Sequence, residues 1–345
     1  MRVRARSVVL GVLGLLVLLV AGGLTVVGWQ VVLGPSARPL TARTFEKTPA
    51  RLARGQYLVE GVAACFHCHS DHDFTTPEYP VKDGAKGAGW QMPIPELGEL
   101  WAPNITPDSE TGIGNWSDDA IARAIQEGID ATGRPLFPVM PYLHFRNLDN
   151  EDLASIVVYL RSIPAVKHAV PLPKLVAPLN ILVKTMPKPL TSHTDPPART
   201  TAVARGEYLV GTVANCGDCH TPADQGEPRP GLAFAGGEPF QDPGHPGQAL
   251  VSLNITSDPS GIAHYDEALF IQTLHTGLMG GRVLSHIMPF ENFKNMSDDD
   301  LRDIFAYLKS LPPVKHRVTN TDPAELCVLC KVSHGLGSKN VAPAK

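Results

Sequence analysis

The chain has 345 residues, with 30 Lys and Arg against 34 Asp and Glu. That slightly acidic balance argues against a nucleic-acid partner, which needs a basic face, and six Cys are too sparse for a disulfide scaffold. The length suits two to three domains, and 31 Gly with 32 Pro make them loop-rich, while only 6% of residues are aromatic, so something besides aromatic rings is expected to fill the cores.

Arg2, Arg4 and Arg6 precede an apolar run from about Val8 to Leu33, with Trp29 near its far end. About 20 apolar residues suffice for a membrane-spanning helix. The positive-inside rule would keep the Arg cluster cytoplasmic. The expectation is a single-pass bacterial inner-membrane protein with residues 1–34 as anchor and the remainder on the periplasmic side. A cleaved signal peptide is the alternative, but its apolar core would be shorter.

The rest of the chain is a duplication. Ala53-Arg54-Gly55-Gln56-Tyr57-Leu58-Val59 before Cys65 matches Ala204-Arg205-Gly206-Glu207-Tyr208-Leu209-Val210 before Cys216. Asn104-Ile105-Thr106 matches Asn254-Ile255-Thr256, and Met140-Pro141 matches Met288-Pro289. The expected domains are 49–168 and 199–318. Between them, 169–198 holds seven prolines and should be extended and semi-rigid. The apolar island Leu179 to Val183 within it is too short to cross a bilayer and is expected to pack on a neighbouring domain. Residues 319–345 form a tail.

Each copy shows three helical segments. The first runs from about Pro49 to Ala64 and from Ala202 to Asn215. The second follows Ser117 and stops at Gly128, and its partner runs from about Asp266 to Thr276 with Gly277 as the stop. The third spans Asp149 to Ser162, and in the second copy opens at Ser297 and closes at Pro312. Ser or Asp caps, acids in the first turn and Gly or Pro beyond the end are the signals used. The long Pro- and Gly-rich loops between the first and second helices need an internal support, which a bound prosthetic group would supply.

The chemistry lies in Cys65-Phe66-His67-Cys68-His69 and Cys216-Gly217-Asp218-Cys219-His220. Both are C-x-x-C-H, the c-type haem attachment signal. Two Cys at this spacing can form thioethers to the haem vinyl groups, which brings the adjacent His under the iron. A redox dithiol and half of a zinc site are the rival readings. With two covalently bound haem c, the axial ligands would be His69 and His220, with Met140 and Met288 as the matched sixth ligands. Met92 has no counterpart in the second copy and Met186 lies in the linker. His/Met ligation raises the reduction potential. It also leaves no open position for a substrate, which favours electron transfer over catalysis.

These motifs, together with Asn104-Ile105-Thr106-Pro107-Asp108, Gly112-Ile113-Gly114, Trp116, Val139-Met140-Pro141-Tyr142 and Ile287-Met288-Pro289-Phe290, resemble the dihaem cytochrome c family. The similarity is greatest to cytochrome c subunits of membrane-bound bacterial dehydrogenases for alcohols, sugars or aldonic acids. Many of those carry three haem domains, and this chain has two. The resemblance implies an all-α protein: two tandem class I cytochrome c-like domains, whose first and last helices cross beside the haem, plus one N-terminal transmembrane helix. Gly55 and Gly206 would let those helices approach Tyr159 and Tyr307. Arg134 and Arg282 are candidate partners of haem propionates. Asn104 and Asn254 are candidate donors at the haem edge. His67, His72, His144, His264, His275 and His286 read as ordinary surface or core residues.

Cys327-Val328-Leu329-Cys330-Lys331 lacks the His. A disulfide, a metal site with His334, and haem attachment with Lys331 as ligand all remain open. The implied function is electron transfer from a dehydrogenase subunit or quinol to an oxidase or soluble cytochrome. A dihaem enzyme of peroxidase or thiosulfate dehydrogenase type, and an electron-entry subunit of a terminal oxidase, are the alternatives.

Overall fold

The structure is a computed structural model that describes residues 2–76, 78–191, 198–224, 226–244, 249–279, 282–318, 324–328, 331 and 333–335; within it, the side chains of 2–10, 24, 26, 27, 249, 324, 334 and 335 are not described. Helix α1 (Arg2–Val27) is followed by the short α2 (Gln30–Leu33). Among the described residues no helix is long and apolar enough to cross a membrane. The transmembrane helix and the single-pass inner-membrane placement expected from the apolar run are therefore corrected.

The first copy contains α3 (Pro49–Tyr57), α4 (Cys65–Cys68), α5 (Asp118–Glu127), α6 (Tyr142–Phe145) and α7 (Asn150–Leu160). The linker holds α8 (Leu179–Leu182). The second copy contains α9 (Ala202–Tyr208), α10 (Cys216–His220), α11 (Glu267–Thr276), α12 (Phe290–Phe293) and α13 (Asp298–Ser310). The caps sit where the residue types place them: Ser117, Asp266 and Ser297 each accept the amide of the residue three ahead, and Gly128 and Gly277 end their helices in the left-handed region.

The all-α expectation is also corrected. Six two-stranded antiparallel sheets stand among the described residues. Backbone groups outside helices still need partners, and the long loops satisfy them by folding back: Trp90–Gln91 pairs with Trp101–Ala102, and Pro239–Gln241 with Ala249–Val251. The first helix of each copy does not run unbroken to the Cys pair. After α3 and α9 the chain widens into π-turns at Leu58–Val62 and Leu209–Val213. Ala64 and Asn215 then adopt left-handed backbone immediately before the first Cys of each motif.

Within each copy the first helix crosses the last. A Cβ at Gly55 would fall on the Ser155 carbonyl oxygen and 2.6 Å from the Tyr159 Cβ; at Gly206 it would fall on the Asp303 carbonyl oxygen and 2.8 Å from the Tyr307 Cβ. Only glycine permits this approach. Arg54 forks onto Asp152 at 2.8 and 2.9 Å beside the first crossing.

The two copies meet in an exchange of equivalent contacts. The Tyr57 hydroxyl donates to Asp300 at 2.6 Å, and the Tyr208 hydroxyl donates to Asp152 at 2.7 Å. The same hydroxyls accept the amides of Ser297 and Asp149. Asn292 Nδ2 donates to the Glu60 carbonyl at 2.9 Å, and His144 Nδ1 donates to the Gly211 carbonyl at 3.0 Å. Each pair joins matched positions of the duplication in reciprocal order, the signature of a pseudo-two-fold interface. Burial and Asp300 push the Tyr57 hydroxyl up to about 12, so it remains a donor. Tyr79 adds a contact with no counterpart, donating to Asp242 at 2.5 Å.

The segment before α3 is strapped across α5. Arg38 reaches Asp119 at 2.7 and 2.8 Å and Glu127 at 2.7 Å, and both carboxylate side chains are 1% exposed. Asp119 and Asp118 also accept the amides of Thr41 and Phe45. The acids read as helix-start signals thus also anchor the incoming chain. In the linker Val183 is buried, while Ile181 and Leu182 of the apolar island are exposed, so only part of that island packs inward as expected.

Gly206→Ala or Gly55→Ala should lower the thermal midpoint, by at least the roughly 1–3 kcal/mol of an overpacked core; an unchanged midpoint would remove the crossings as the tight points of the fold. Tyr57→Phe and Tyr208→Phe should each cost about 1.5–3 kcal/mol, the range for hydrogen bonds to charged groups. Chemical denaturation of both single variants checks this, and a loss confined to one of them would contradict the reciprocal interface.

Candidate functional site: two cysteine-histidine motifs and a cavity

The π-turn and the left-handed residue swing each Cys motif away from the axis of the preceding helix. His69 and His220 then follow α4 and close α10. His69 Nδ1 donates to the Pro103 carbonyl at 2.8 Å, and His220 Nδ1 donates to the Leu253 carbonyl at 2.7 Å. A carbonyl only accepts, so Nδ1 carries the proton and Nε2 presents a lone pair. Burial lowers both imidazole pKa values, which favours the neutral ligand form. The histidine carbonyls are held as well, by the amides of Gly89 and Gly236. These glycines have φ of +81° and +69°, and a Cβ on either would strike the Ala102–Asn104 or Leu253–Asn254 backbone. They let the orienting loop lie against the histidine.

The four motif thiols do not behave as a redox dithiol. Burial pushes Cys65 and Cys216 up to about 12, Cys68 to about 11 and Cys219 to about 12, whereas reactive cysteines have lowered values. Asp218 and Cys68 add to the shift at Cys219, so Cys68 of one motif lies within electrostatic reach of Cys219 of the other. Among the described residues no three His, Cys, Asp or Glu side chains gather as a metal site, so the zinc reading gains no support.

Cys216, His220 and Met288 line one cavity in the second copy. The space between its lining atoms is about 1280 Å³, solvent at its mouth included. Leu253, Ile262, Phe270, Leu274 and Leu308 make it largely apolar, while Arg282 and Arg317 supply cations. A neutral imidazole nitrogen, a thioether sulfur, adjacent cysteines and an apolar slot with guanidinium groups are the donor set that a covalently held haem needs. The residues therefore fit that group. In the first copy Cys65 and Met140 are partly buried against the same hydrophobic core, and His69 is buried. The turns carrying the methionines match, with the Tyr142 amide on the Met140 carbonyl and the Phe290 amide on the Met288 carbonyl, both at 2.7 Å. Met92 and Met186 are not among the lining residues of this cavity.

Several candidates find other work. Asn104 Nδ2 donates to the carbonyls of Val166 and His168, and Asn254 Nδ2 to those of Val314 and His316. These asparagines pin the chain leaving α7 and α13 to the loop that faces the histidine. Arg134 pairs with Asp130 at 2.9 Å, while Arg282 stands in the cavity wall. His72 is a buried structural residue bonded to the Tyr79 and His67 carbonyls. His67 is pushed down to about 4 by burial and touches the Ile287 backbone. His144 pairs with Asp218 at 2.7 Å, and His275 with Asp298 at 3.0 Å. His264 lines the cavity beside Tyr265, and His286 packs against Phe290. Cys327 is buried, and Cys330 lies outside the described residues, so the tail pair acquires no assigned role.

Other residues carry no obvious sequence mark. The Pro103 and Leu253 carbonyls are backbone groups and have no signature. Met279, Met296 and Arg317 line the cavity without matching residues in the first copy. His168 and His316 are a matched pair that repeat comparison could have found. Their Nδ1 atoms reach the Ala88 and Ala235 carbonyls at 2.9 and 3.0 Å.

Comparison with known proteins agrees with this geometry. The cytochrome c family pattern matches residues 203–312, which lie in the second copy. The chain is 29% identical to the cytochrome c subunit of the quinone alcohol dehydrogenase of Gluconobacter oxydans (strain 621H), over 79% of this chain and 57% of that subunit. It is 29% identical to the gluconate 2-dehydrogenase cytochrome c subunit of Pantoea cypripedii, over 76% of this chain and 60% of that subunit. It is 23% identical to a dihaem c-type cytochrome of Cereibacter sphaeroides, over 79% of this chain and 89% of that protein. The chain thus spans less than two thirds of the two dehydrogenase subunits. Residues 203–312 thus match the cytochrome c family, whose domains bind haem c covalently, and the chain's relatives include cytochrome c subunits of dehydrogenases.

Proposed function

We propose that the chain is a dihaem electron-transfer subunit, with one haem c in each copy. It receives electrons from a dehydrogenase subunit, or from quinol, and delivers them to an oxidase or a soluble cytochrome. The units would be 49–168 and 199–318, joined by the linker 169–198. Cys65, Cys68 and His69 would hold one haem, and Cys216, Cys219 and His220 the other, with Met140 and Met288 as the second axial ligands. The observation that carries the reading is the placement of His220 and Met288 on one largely apolar cavity that also receives Cys216. The dihaem count draws support from the reciprocal match of both copies and from the dihaem relative.

The bound haem would supply a one-electron iron centre. The protein's part is to orient and exclude. Pro103 and Leu253 fix each imidazole through Nδ1, which leaves Nε2 for the metal and raises its basicity. The apolar walls keep water away. With a histidine and a methionine from this chain holding each iron, no position would be left for a substrate, and the chemistry supplied would be one-electron exchange. Cys68 and Cys219, one from each proposed attachment site, lie within electrostatic reach of each other, which supports reading the two copies as one electron-transfer unit.

The test is haem counting by mass with redox titration of the full chain. Two covalently bound haems are expected. Met140→Ala and Met288→Ala should each lower one of two redox steps by more than about 59 mV, a tenfold change for one electron, because loss of the thioether removes the ligand that raises the potential. A single haem, or methionine variants that move neither step, would overturn the assignment.

A further inference from the structure

The chain leaving the last helix of each copy carries the same three residues, Val166-Lys167-His168 and Val314-Lys315-His316. Neither histidine lies in a Cys motif, yet each is bonded to one loop through its ring, its amide and its carbonyl. His168 Nδ1 donates to the Ala88 carbonyl at 2.9 Å, the His168 amide donates to Thr111 Oγ1 at 3.0 Å, and the His168 carbonyl accepts Asn104 Nδ2 at 3.2 Å. The second copy repeats all three. His316 Nδ1 donates to the Ala235 carbonyl at 3.0 Å, its amide donates to Ser260 Oγ at 3.1 Å, and its carbonyl accepts Asn254 Nδ2 at 3.3 Å. A carbonyl only accepts, so each Nδ1 carries a proton.

The positions so joined are the two that hold the motif histidine. Ala88 precedes Gly89, whose amide bonds the His69 carbonyl, and Asn104 follows Pro103, whose carbonyl takes His69 Nδ1. Ala235 precedes Gly236, whose amide bonds the His220 carbonyl, and Asn254 follows Leu253, whose carbonyl takes His220 Nδ1. These two limbs are the open base of a hairpin, whose strands pair at Trp90 with Ala102 in the first copy and at Pro239 with Val251 in the second. His168 and His316 each span that base. The fit is close in the second copy, where a Cβ on Gly237 would come 2.9 Å from His316 Cε1. The arrangement recurs although its neighbours do not: Pro103 is answered by Leu253, Thr111 by Ser260, and Ala169 by Arg317.

We propose that His168 and His316 are positioning residues, each holding the axial histidine of its own copy through the two limbs of the loop. The inference rests on the dihaem reading given above. The ring bond to Ala88 or Ala235 and the asparagine bond to the carbonyl of the same histidine set the spacing of the limbs. That spacing aims the Pro103 or Leu253 carbonyl at the Nδ1 proton of His69 or His220. A held Nδ1 proton makes the imidazole a more basic ligand through Nε2. A more basic ligand favours the oxidised iron, which bears one more positive charge than the reduced iron. Releasing His168 or His316 therefore loosens the aimed carbonyl, weakens the donor and raises the potential of that copy's centre.

The test uses the full-length holoprotein, with haem counted by mass in every sample and each redox step assigned by the variant, Met140→Ala or Met288→Ala, that displaces it. His168→Leu and His316→Leu remove the ring donor. His168→Asn and His316→Asn keep one, because the asparagine amide nitrogen takes the place of Nδ1 on the same stem. With two haems retained, His168→Leu should raise the first copy's step by about threefold or more in the reduced-to-oxidised ratio, as expected for an outer-shell partner of a ligand. It should also move the methyl proton resonances of that haem in the oxidised protein, and leave the other step in place. His316→Leu should do the same to the second copy. The asparagine variants should return potentials and resonances to those of the parent. Where a leucine variant holds fewer haems, its recovery in the asparagine variant supports the positioning role, and an equal loss in both overturns it. Leucine variants that lower the thermal midpoint but leave both potentials and both sets of resonances unmoved would overturn the inference with the dihaem reading intact, as would a shift confined to the other copy's step. A parent chain with one haem would overturn both.

Discussion

The close crossing of first and last helices, possible only at Gly55 and Gly206, is the constraint on which each copy depends. It fixes the origin of the π-turn that leads to the Cys motif. It also fixes α7 and α13, whose departing chains are pinned by Asn104 and Asn254 to the loops facing His69 and His220. The orienting carbonyls of Pro103 and Leu253 belong to those loops. A displaced crossing would therefore reach the histidine through two routes, one along the chain and one across the fold. In the second copy the enclosed space is lined by apolar side chains from α11, α12 and α13, with the motif at one side and Met288 also in the wall.

The interface between the copies uses the same elements again. Tyr57 and Tyr208 follow the crossing glycines by two residues, and their hydroxyls reach the first turn of the other copy's last helix. The helix that forms the core of one copy thus also carries the contact to the other. His144, four residues after Met140, meets Asp218 of the second motif, while His67 of the first motif meets the backbone beside Met288. Each Cys motif is in this way tied to the methionine loop of the opposite copy. Cys68 and Cys219, one from each motif, lie within electrostatic reach of each other.

Much of this was legible in the sequence because it rests on local chemistry. Cap residues mark helix ends wherever a side chain replaces a missing backbone partner, and Ser117, Asp266 and Ser297 do so. The C-x-x-C-H spacing and the repeat offset identify the motifs, and Gly55 and Gly206 were recognisable through their matched tyrosines. The all-α expectation failed because short sheets arise from backbone satisfaction in loops, which no periodicity announces. The membrane expectation failed because, among the described residues, the apolar run builds no helix long and apolar enough to cross a bilayer. The asparagines carried two readings, a haem-edge donor and a loop residue, and their amides pin the loops while Asn254 also lines the cavity. The Pro103 and Leu253 carbonyls were invisible for a simpler reason, since any residue could have supplied them.

The duplication separates what both halves repeat from what differs between them. Matched residues hold the fold: the crossing glycines, the interface tyrosines, the pinning asparagines and the bonded histidines recur in both halves. The turn after α5 and α11 is where the halves part. Asp130 is buried and takes four hydrogen bonds from its own turn, two from Arg134 and two from Thr132, so it organises that turn as well as balancing the arginine. Met279 takes the matching position and pairs with Arg282 across strands, with one residue fewer between them. A single fold used twice can in this manner keep its framework residues matched while buried side chains at one turn differ between the halves.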